Sequence, residues 1–338
     1  MISLIVTVLN EGDNIRLLLD SIAEQTRLPD EVVIVDGGSV DNTVEILRGY
    51  GERLPLRLLV AAGCNISQGR NAAIAEARGD IIAATDAGVR LAAHWLETIT
   101  APLLDDHTLG VAAGFFRADP QTPFETALGA VTLPIVDEID ADSFLPSSRS
   151  IAFRKRAAQN IGGYPEWLDY CEDLVFDLRL RLAGERFVFV PGAVAHFRPR
   201  VSLRSYFRQY YLYARGDGKA DLWRKRHFVR YAAYLLLAPA IGSAGLLAHP
   251  LLWAGWLIGG ILYLYRPYRR LPVLLEAANT SSLAARLSCI ALIPLLRFAG
   301  DVAKMLGYPS GRLWRLRQQP ADWKRLAAPA KRANDEAG

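Results

Sequence analysis

The chain has 338 residues, enough for a full α/β core with an additional segment. Its formal net charge of +4 is too small to indicate nucleic acid as a partner, and its three cysteines lack metal-type spacing and indicate a reduced compartment. Hydrophobic residues make up 51% of the chain, more than a soluble enzyme usually contains, which indicates a membrane part.

The first half of the sequence alternates apolar runs with amphipathic segments. The runs SLIVTVL, EVVIVD, LRLLVA and DIIAATD are typical of buried strands, and NIRLLLDSIAEQ, DNTVEILRGY and GRNAAIAEARG have helical periodicity. The first run lacks the basic residues and the cleavage site of a signal peptide, so we expect it to be the first strand. Strands that alternate with helices of about ten residues predict a mostly parallel sheet.

The next part of the chain has a looser pattern. LGVAAGFFRA and SIAFRK predict two further strands. EDLVFDLRLRLAGE predicts an amphipathic helix that ends at Gly184, and RFVFVPGAVAHF predicts another strand with a loop.

Polar residues cluster at the ends of the first four predicted strands, where parallel sheets bind ligands. Asp36 either completes a turn or accepts a hydrogen bond from the imide N–H of a base. Gly69 and Arg70 are expected at a helix N-terminus, where N–H groups and a cation suit a diphosphate, although an ordinary helix start explains them equally well. The four clusters are Asn10–Glu11, residues 36–39, residues 63–70 and Asp86.

A long uncharged stretch follows the predicted α/β part. Residues 231–265 contain no Asp, Glu, Lys or Arg, and about 35 residues of helix measure about 50 Å, or roughly two short membrane passes. We expect a membrane hairpin at about 231–247 and 250–265; a buried core helix is the alternative. The basic segments RKRHFVR and RPYRR on both sides place both ends on the cytoplasmic side.

Two further segments indicate a lipid surface. The apolar stretch at about 283–300 is interrupted by Arg286 and Arg297, which favours an interfacial or re-entrant helix over a third span. The aromatic and basic segment RSYFRQYYLYARGDGK resembles a nucleic-acid patch. Because it precedes the predicted hairpin, we instead expect a juxtamembrane helix that binds lipid phosphates and helps to present a polyprenyl-phosphate-linked acceptor.

The ordered segments TVLNEGDNI, VVIVDGGSVDNT, GRNAAIAEARGD and TDAGVR resemble the nucleotide-binding half of the inverting GT-A-type glycosyltransferases of family 2. SIAFRKRAAQNIGGYPE and CEDLVFDLRLRLAGE are similar to that family's acceptor-side segments. The resemblance covers residues 1 to about 200. It implies an α/β GT-A fold, which is Rossmann-like with a mostly parallel sheet, at residues 1–225. A helical membrane-associated region at 226–310 and a basic tail at 311–338 are expected to follow.

The same resemblance implies roles for individual residues. Asp173 would be the catalytic base, with Glu172 orienting it, which agrees with the need of inverting transfer for a carboxylate that accepts the acceptor's proton. The residues expected to bind the donor are Asn10, Glu11, Asp36, Gly69, Arg70 and Asp86. Those expected on the acceptor side are Gly162, Gly163 and Tyr164.

The sequence departs from the family pattern at two points. Gly88 occupies the place of the second aspartate of the Asp-x-Asp motif. Either a Mg²⁺ or Mn²⁺ cofactor is held by Asp86, the diphosphate and His196, or the site relies more on Arg70 and other basic groups. His196 is alternatively an ordinary structural histidine. Gln209 and Arg215 are too far apart for the Gln-x-x-Arg-Trp motif of processive synthases, which favours the addition of one sugar per encounter.

We therefore expect a glycosyltransferase of the bacterial inner membrane, multi-pass with a cytoplasmic catalytic domain. It would take a nucleoside-diphosphate sugar and modify a lipid-linked or cell-envelope glycan. The alternative is a catalytically impaired, membrane-anchored sensor or assembly protein, which Gly88 favours and the intact Glu172–Asp173 pair opposes. A nucleotidyltransferase is a third possibility, but Asn10 and Glu11 stand where its Gly-rich basic signature would be.

Overall fold

A computed structural model describes residues 1–279 and 281–320 of the chain. The chain divides into two compact units. The first consists of residues 1–117 and 136–197, and the second of residues 118–135 and the described residues from 198 onward. The expected domain boundary at 225 lies within the second unit, and most of the expected basic tail lies outside the described residues.

The first unit is built on one mixed sheet. Its strands are β1 (Ile2–Val8), β2 (Glu31–Asp36), β3 (Leu56–Val60), β4 (Ile81–Asp86), β5 (Val89–Leu91), β6 (Leu109–Ala118), β7 (Ile151–Arg154) and β8 (Arg186–Phe197). In the described residues these eight strands lie in the order β3-β2-β1-β4-β7-β6-β8-β5. The first four pair in parallel, as expected, whereas β7 runs antiparallel to β4 and β6, and β5 antiparallel to β8.

Helices cover both faces of this sheet. They are α1 (Ile15–Ala23), α2 (Thr43–Gly49), α3 (Ile66–Glu76), α4 (Trp95–Asp105), α6 (Lys155–Asn160) and α7 (Glu172–Leu182), with α5 (Pro123–Thr132) in the second unit. Side chains alternate along a strand, so Leu4 and Val6 pack with α1, α2 and α4, while Ile5 packs with α3, α6 and α7. The helix expected to end at Gly184 ends at Leu182, and Gly184 follows with φ +85°.

The second unit is helical. Beside α5 it contains α8 (Leu203–Ala220), α9 (Arg224–Ala232), α10 (Ala238–Leu247), α11 (Ala254–Ala277) and α12 (Leu283–Gln318). Its core includes Leu128, Tyr206, Leu274 and Ile293. Glycines on α12 allow α8 to approach closely, because a Cβ at Gly311 would lie 2.0 Å from the carbonyl oxygen of Arg215.

Two helices in the described residues are long and apolar enough to cross a membrane: Arg224–Leu247 and Leu283–Gln318. The first contains the first half of the expected hairpin, with a π-helical segment at Ala233–Leu237. This segment precedes Pro239, which has no backbone N–H and so cannot donate the regular hydrogen bond of an α-helix. The second half of the expected hairpin, at about 250–265, lies mainly in α11, which is not one of these two helices. The stretch at about 283–300, expected to be interfacial, lies in α12, which is long and apolar enough to cross a membrane.

Candidate active site

The loops that follow β1 and β2 are joined by hydrogen bonds. The Asn10 N–H donates to Ser39 Oγ over 2.8 Å, and the Val40 N–H donates to Asn10 Oδ1 over 2.9 Å. The N–H of Glu11 donates to Thr43 Oγ1 over 3.0 Å. The structure thus brings Asn10 and Glu11 beside the segment that contains Asp36, as parallel strand ends require.

Asp36 is fully buried and shapes its own loop. Its Oδ2 accepts hydrogen bonds of 2.9 Å from the backbone N–H groups of Gly38 and Ser39, and its Oδ1 accepts one from the Ser39 hydroxyl. Gly38 has φ +98°, a conformation that this tight turn reserves for glycine. The structure therefore confirms that Asp36 completes a turn. Its recognition of a base stays a prediction.

Helix α3 begins earlier than expected. Asn65 caps it and forms a capping box with Gln68, and the Gly69 N–H already donates to the Asn65 carbonyl over 2.9 Å. A Cβ at Gly69 would lie 2.8 Å from Thr7 Cγ2, so glycine is needed for packing against β1. The expectation that Gly69 offers a helix-terminal N–H to a diphosphate is therefore corrected.

Arg70 connects two carboxylates from distant parts of the chain. Its Nη2 lies 2.7 Å from Asp86 Oδ1 at the end of β4, and its Nη1 lies 2.6 Å from Glu172 Oε1 at the start of α7. Although burial lowers the pKa of Arg70, the charges of Asp86 and Glu172 outweigh it and raise that pKa. With only 4% of its side chain exposed, Arg70 holds the carboxylates in place rather than facing solvent.

The Glu172–Asp173 pair has two different environments. Glu172 is buried, and burial followed by the charge of Asp173 raises its pKa to about 7. Asp173 is half-buried in the first turn of α7, where its Oδ1 accepts a hydrogen bond of 2.9 Å from the Leu174 N–H.

Sequence reasoning did not identify Asp177, one turn further along α7. It is 1% exposed, and within the described part of the chain neither carboxyl oxygen has a hydrogen-bond partner. Burial, and then the charge of Asp173, raises the pKa of Asp177 well above its ordinary value. The four-residue spacing from Asp173 predicts that the two aspartates lie on the same face of α7. The sequence does not predict that Asp177 is buried.

The expected acceptor-side loop is fastened to α3. Gly162 and Gly163 have φ of +75° and +74°, and the Tyr164 N–H donates to Asn71 Oδ1 over 2.8 Å. Tyr164 is 1% exposed; its hydroxyl lies 2.9 Å from Ser148 Oγ and its ring stacks on Phe176. This burial corrects the expectation that Tyr164 faces an acceptor, because its ring and hydroxyl serve the core.

Arg149 lies on the other side of Asp86, and sequence reasoning also missed it. Its Nε is 3.5 Å from Asp86 Oδ2, and 23% of its side chain is exposed. The guanidinium carbon lies 4.9 Å from the centre of the Phe197 ring and 5.9 Å from that of Phe116. No local motif surrounds Arg149 in the sequence, so only the fold brings it to this position.

Gly88 and His196 lie beyond Asp86. Gly88 is exposed, and a Cβ built there would meet nothing within 4 Å. His196, near the end of β8, pairs in register with Arg90 of β5, the short strand that follows Gly88. The structure therefore brings His196 to the strand that continues from the Asp86 turn.

Residues 3–159 match the model of glycosyl transferase family 2. Over these residues, a little under half of the chain, the protein is similar to this family of sugar-transferring enzymes. YibD of Escherichia coli K12, an uncharacterised glycosyltransferase, is 36% identical over 106 residues, which span 31% of each chain. This chain therefore aligns with about a third of YibD.

Two longer matches extend the comparison. The succinoglycan biosynthesis protein ExoA of Rhizobium meliloti is 27% identical over 229 residues, 64% of this chain and 68% of ExoA. The O-antigen chain rhamnosyltransferase RfbN of Salmonella typhimurium is 23% identical over 227 residues, 62% of this chain and 70% of RfbN.

A solved structure shows the same fold. The mannosyltransferase PcManGT of Pyrobaculum calidifontis, in complex with GDP-Man and Mn²⁺, matches with a TM-score of 0.55 at 22% identity. The match covers 94% of this chain and 87% of that chain. The fold of this chain is thus GT-A-like, with a mixed rather than a mostly parallel sheet.

The divalent cation expected from the family does not fit the residues of this chain. Guanidinium groups stand next to both oxygens of Asp86, and Gly88 provides no ligand. Among the residues that the structure describes, no three His, Cys, Asp or Glu side chains group as ligands. Mg²⁺ and Mn²⁺ prefer carboxylate oxygens, and both oxygens of Asp86 already face a guanidinium. Asp86 and His196 therefore do not fit a site for either ion.

Proposed function

We propose that this protein is an inverting glycosyltransferase that moves a sugar from a nucleoside-diphosphate donor to a hydroxyl of a lipid-linked or cell-envelope glycan. The observation that carries the proposal is the double ion pair of Arg70. It fixes the end of β4, where the donor is expected, against the start of α7, which carries Asp173.

Asp173 acts as the base in this mechanism. Glu172 is anchored by Arg70, so the first turn of α7, which carries the half-buried Asp173 carboxylate, is held in place. It accepts the proton of the acceptor hydroxyl as that oxygen attacks the anomeric carbon from the face opposite the leaving diphosphate. Attack from that face inverts the configuration.

The donor is held by the loops at the strand ends. Asn10 and Glu11 lie hydrogen-bonded beside the Asp36 loop, which suits contacts to the base and ribose. Asp86, at the end of β4, faces the ribose and diphosphate. The buried Arg70 and Gly69 support this arrangement from α3.

The second unit and two relatives support the proposed acceptor and location. Large apolar side chains are exposed there; Leu236 is 67% and Leu262 is 72% exposed, which suits contact with lipid. ExoA and RfbN are named for succinoglycan and O-antigen chains, which supports an envelope glycan. We infer attachment to the bacterial inner membrane with a cytoplasmic catalytic unit, and α8 as the segment near a polyprenyl-phosphate-linked acceptor.

A catalytically impaired sensor is the second candidate, favoured by Gly88. The two candidates predict different results for Asp173→Asn, which removes the base but keeps the shape. In the transferase, this variant binds the donor like the wild type and loses turnover by about 10²-fold or more. In a sensor, the wild type binds without turnover.

The test uses the full chain in detergent or nanodiscs with a panel of UDP-, GDP- and dTDP-sugars. Thermal shift measures binding, and released nucleoside diphosphate measures turnover, with lipid-linked glycans as acceptors. Asp13→Asn, at an exposed ion pair on the surface, is the matched control. Absence of binding for every donor would refute the proposal; full activity of Asp173→Asn would refute the base assignment.

A further inference from the structure

We infer that Arg149 supplies the positive charge that stabilises the leaving nucleoside diphosphate, in the position where related enzymes rely on a metal ion. The inference rests on the proposed sugar transfer and assigns a further catalytic residue to it. The residues around Asp86 do not fit a metal site, because a guanidinium stands next to each of its carboxylate oxygens.

The two arginines on Asp86 have different environments. Arg70 is 4% exposed, and its two terminal nitrogens are each bound to a carboxylate at 2.7 Å or less. Arg149 is 23% exposed; its Nε lies 3.5 Å from Asp86 Oδ2, and its Nη1 donates to Ser147 Oγ over 3.3 Å. A phosphate that arrives beside Asp86 can therefore reach the guanidinium of Arg149, whereas that of Arg70 is enclosed between two carboxylates.

Arg149 is also held in position before any substrate arrives. Its carbonyl accepts a hydrogen bond of 2.8 Å from Thr85 Oγ1, which ties the backbone to the residue before Asp86. Its guanidinium lies near the faces of Phe197 and Phe116. A cation that is already oriented needs little reorganisation when charge develops on the leaving group.

The position of Gly88 agrees with this assignment. The exposed space around it contains no atom that a Cβ would meet, so a carboxylate would fit there sterically. The chain nevertheless has no ligand at that point and places a guanidinium on the adjoining carboxylate instead. The positive charge needed at the diphosphate is thus provided by a side chain.

The step balances without a further reactant. The bond between the anomeric carbon and the β-phosphate oxygen breaks, and its electron pair leaves with the nucleoside diphosphate, which gains one negative charge. The acceptor oxygen forms the new glycosidic bond and its proton passes to Asp173. The positive charge of Arg149 offsets the new charge on the β-phosphate.

The test begins with the wild-type full chain and its best donor, assayed after EDTA treatment and again with Mn²⁺ or Mg²⁺. We expect turnover to persist in EDTA and to change less than about twofold on metal addition. Arg149→Met should lower kcat by about 10²-fold, and Arg149→Lys should recover part of the loss. Arg156→Met, a surface arginine of the same unit, should retain wild-type turnover.

A double variant gives the sharpest result. Gly88→Asp should add the missing ligand, so Arg149→Met combined with Gly88→Asp should regain turnover only when Mn²⁺ is present. Wild-type turnover that disappears in EDTA, or unchanged kcat in Arg149→Met, would overturn the inference while leaving sugar transfer intact. If the wild type neither binds nor turns over any donor, the proposed function fails first.

Discussion

Arg70 and Glu172, 102 residues apart in the chain, form a buried ion pair of 2.6 Å that fastens α7 to α3. The same guanidinium binds Asp86, so a single side chain fixes both ends of the candidate site. Removing one partner of a buried ion pair strongly destabilises a protein, because the other charge is left buried without a partner.

Arg70→Met should therefore be strongly destabilising. The change leaves Asp86 and Glu172 without their shared cation, and the free energy of unfolding should fall by about 3–5 kcal/mol. Arg70→Lys should lose less, because an ammonium keeps the charge but cannot bind two carboxylates as a planar fork does. Chemical denaturation of the full chain in detergent above pH 7, where Glu172 is ionised, measures the effect.

The matched control is Arg16→Met, which removes an exposed ion pair with Asp13. Surface pairs contribute about 1 kcal/mol or less, so this variant should unfold almost like the wild type. Equal losses for Arg70→Met and Arg16→Met would show that the buried bridge does not hold the site.

The first half of the fold could be predicted from the sequence because its signals are local. Apolar runs separated by helical periodicity give β1 to β4 and α1 to α3, and the strand-end rule brings Asn10, Asp36 and Asp86 to one edge. The antiparallel strands β7 and β8 were predicted as strands, but their direction depends on pairings between distant segments.

The site was less predictable because burial decides what each polar residue does. Asp36 accepts hydrogen bonds from its own loop, and the Tyr164 hydroxyl lies beside Ser148 in the core. Arg70 binds two carboxylates instead of facing solvent. Arg149 approaches Asp86 from a distant segment of irregular structure. None of these environments follows from the residue type or its spacing.

Glu172 should make stability depend on pH. An unfolded glutamate loses its proton near pH 4.5, whereas the folded protein keeps this proton until about pH 7. Between these values the folded state binds more protons, so the contribution of Glu172 to the free energy of unfolding decreases as pH rises. At about 1.4 kcal/mol per pKa unit, the loss amounts to a few kcal/mol at most.

The measurement compares unfolding free energies of the wild type and Glu172→Gln between pH 4.5 and 7.5. Gln stays neutral, so its curve should be flatter over this range. Asp177, whose pKa is also raised, contributes in the same direction, so Asp177→Asn identifies its share. Parallel curves for wild type and Glu172→Gln would mean that Glu172 titrates normally.

The two glycines before Tyr164 should differ in their tolerance of alanine. Both have positive φ, which costs a non-glycine residue about 1–2 kcal/mol. At Gly163 an added Cβ would also lie 2.4 Å from Asn71 Oδ1, whereas at Gly162 it meets nothing within 4 Å. Gly163→Ala should therefore lose the Asn71 hydrogen bond and raise the KM for the acceptor.

Gly162→Ala serves as the internal control because it carries the same backbone strain without the contact. Unfolding and acceptor titrations of both variants give the comparison. If the two behaved alike, the contact with Asn71 would have no effect on the acceptor side, and backbone strain alone would explain the losses.

The exposed leucines of Arg224–Leu247 should determine membrane attachment. Leu236 and Leu246 are 67% and 75% exposed. Leu236 lies in the middle of this helix, where an aspartate costs about 3 kcal/mol if the helix spans the membrane. Leu236→Asp with Leu246→Asp should thus move a large part of the protein from the carbonate-resistant membrane fraction to the soluble fraction. Leu17→Asp with Leu28→Asp, 61% and 52% exposed in the first unit, should leave the distribution unchanged. A double variant at 236 and 246 that stays fully carbonate-resistant would exclude this helix as the anchor, and the same substitutions at Leu287 and Leu295 would then test α12.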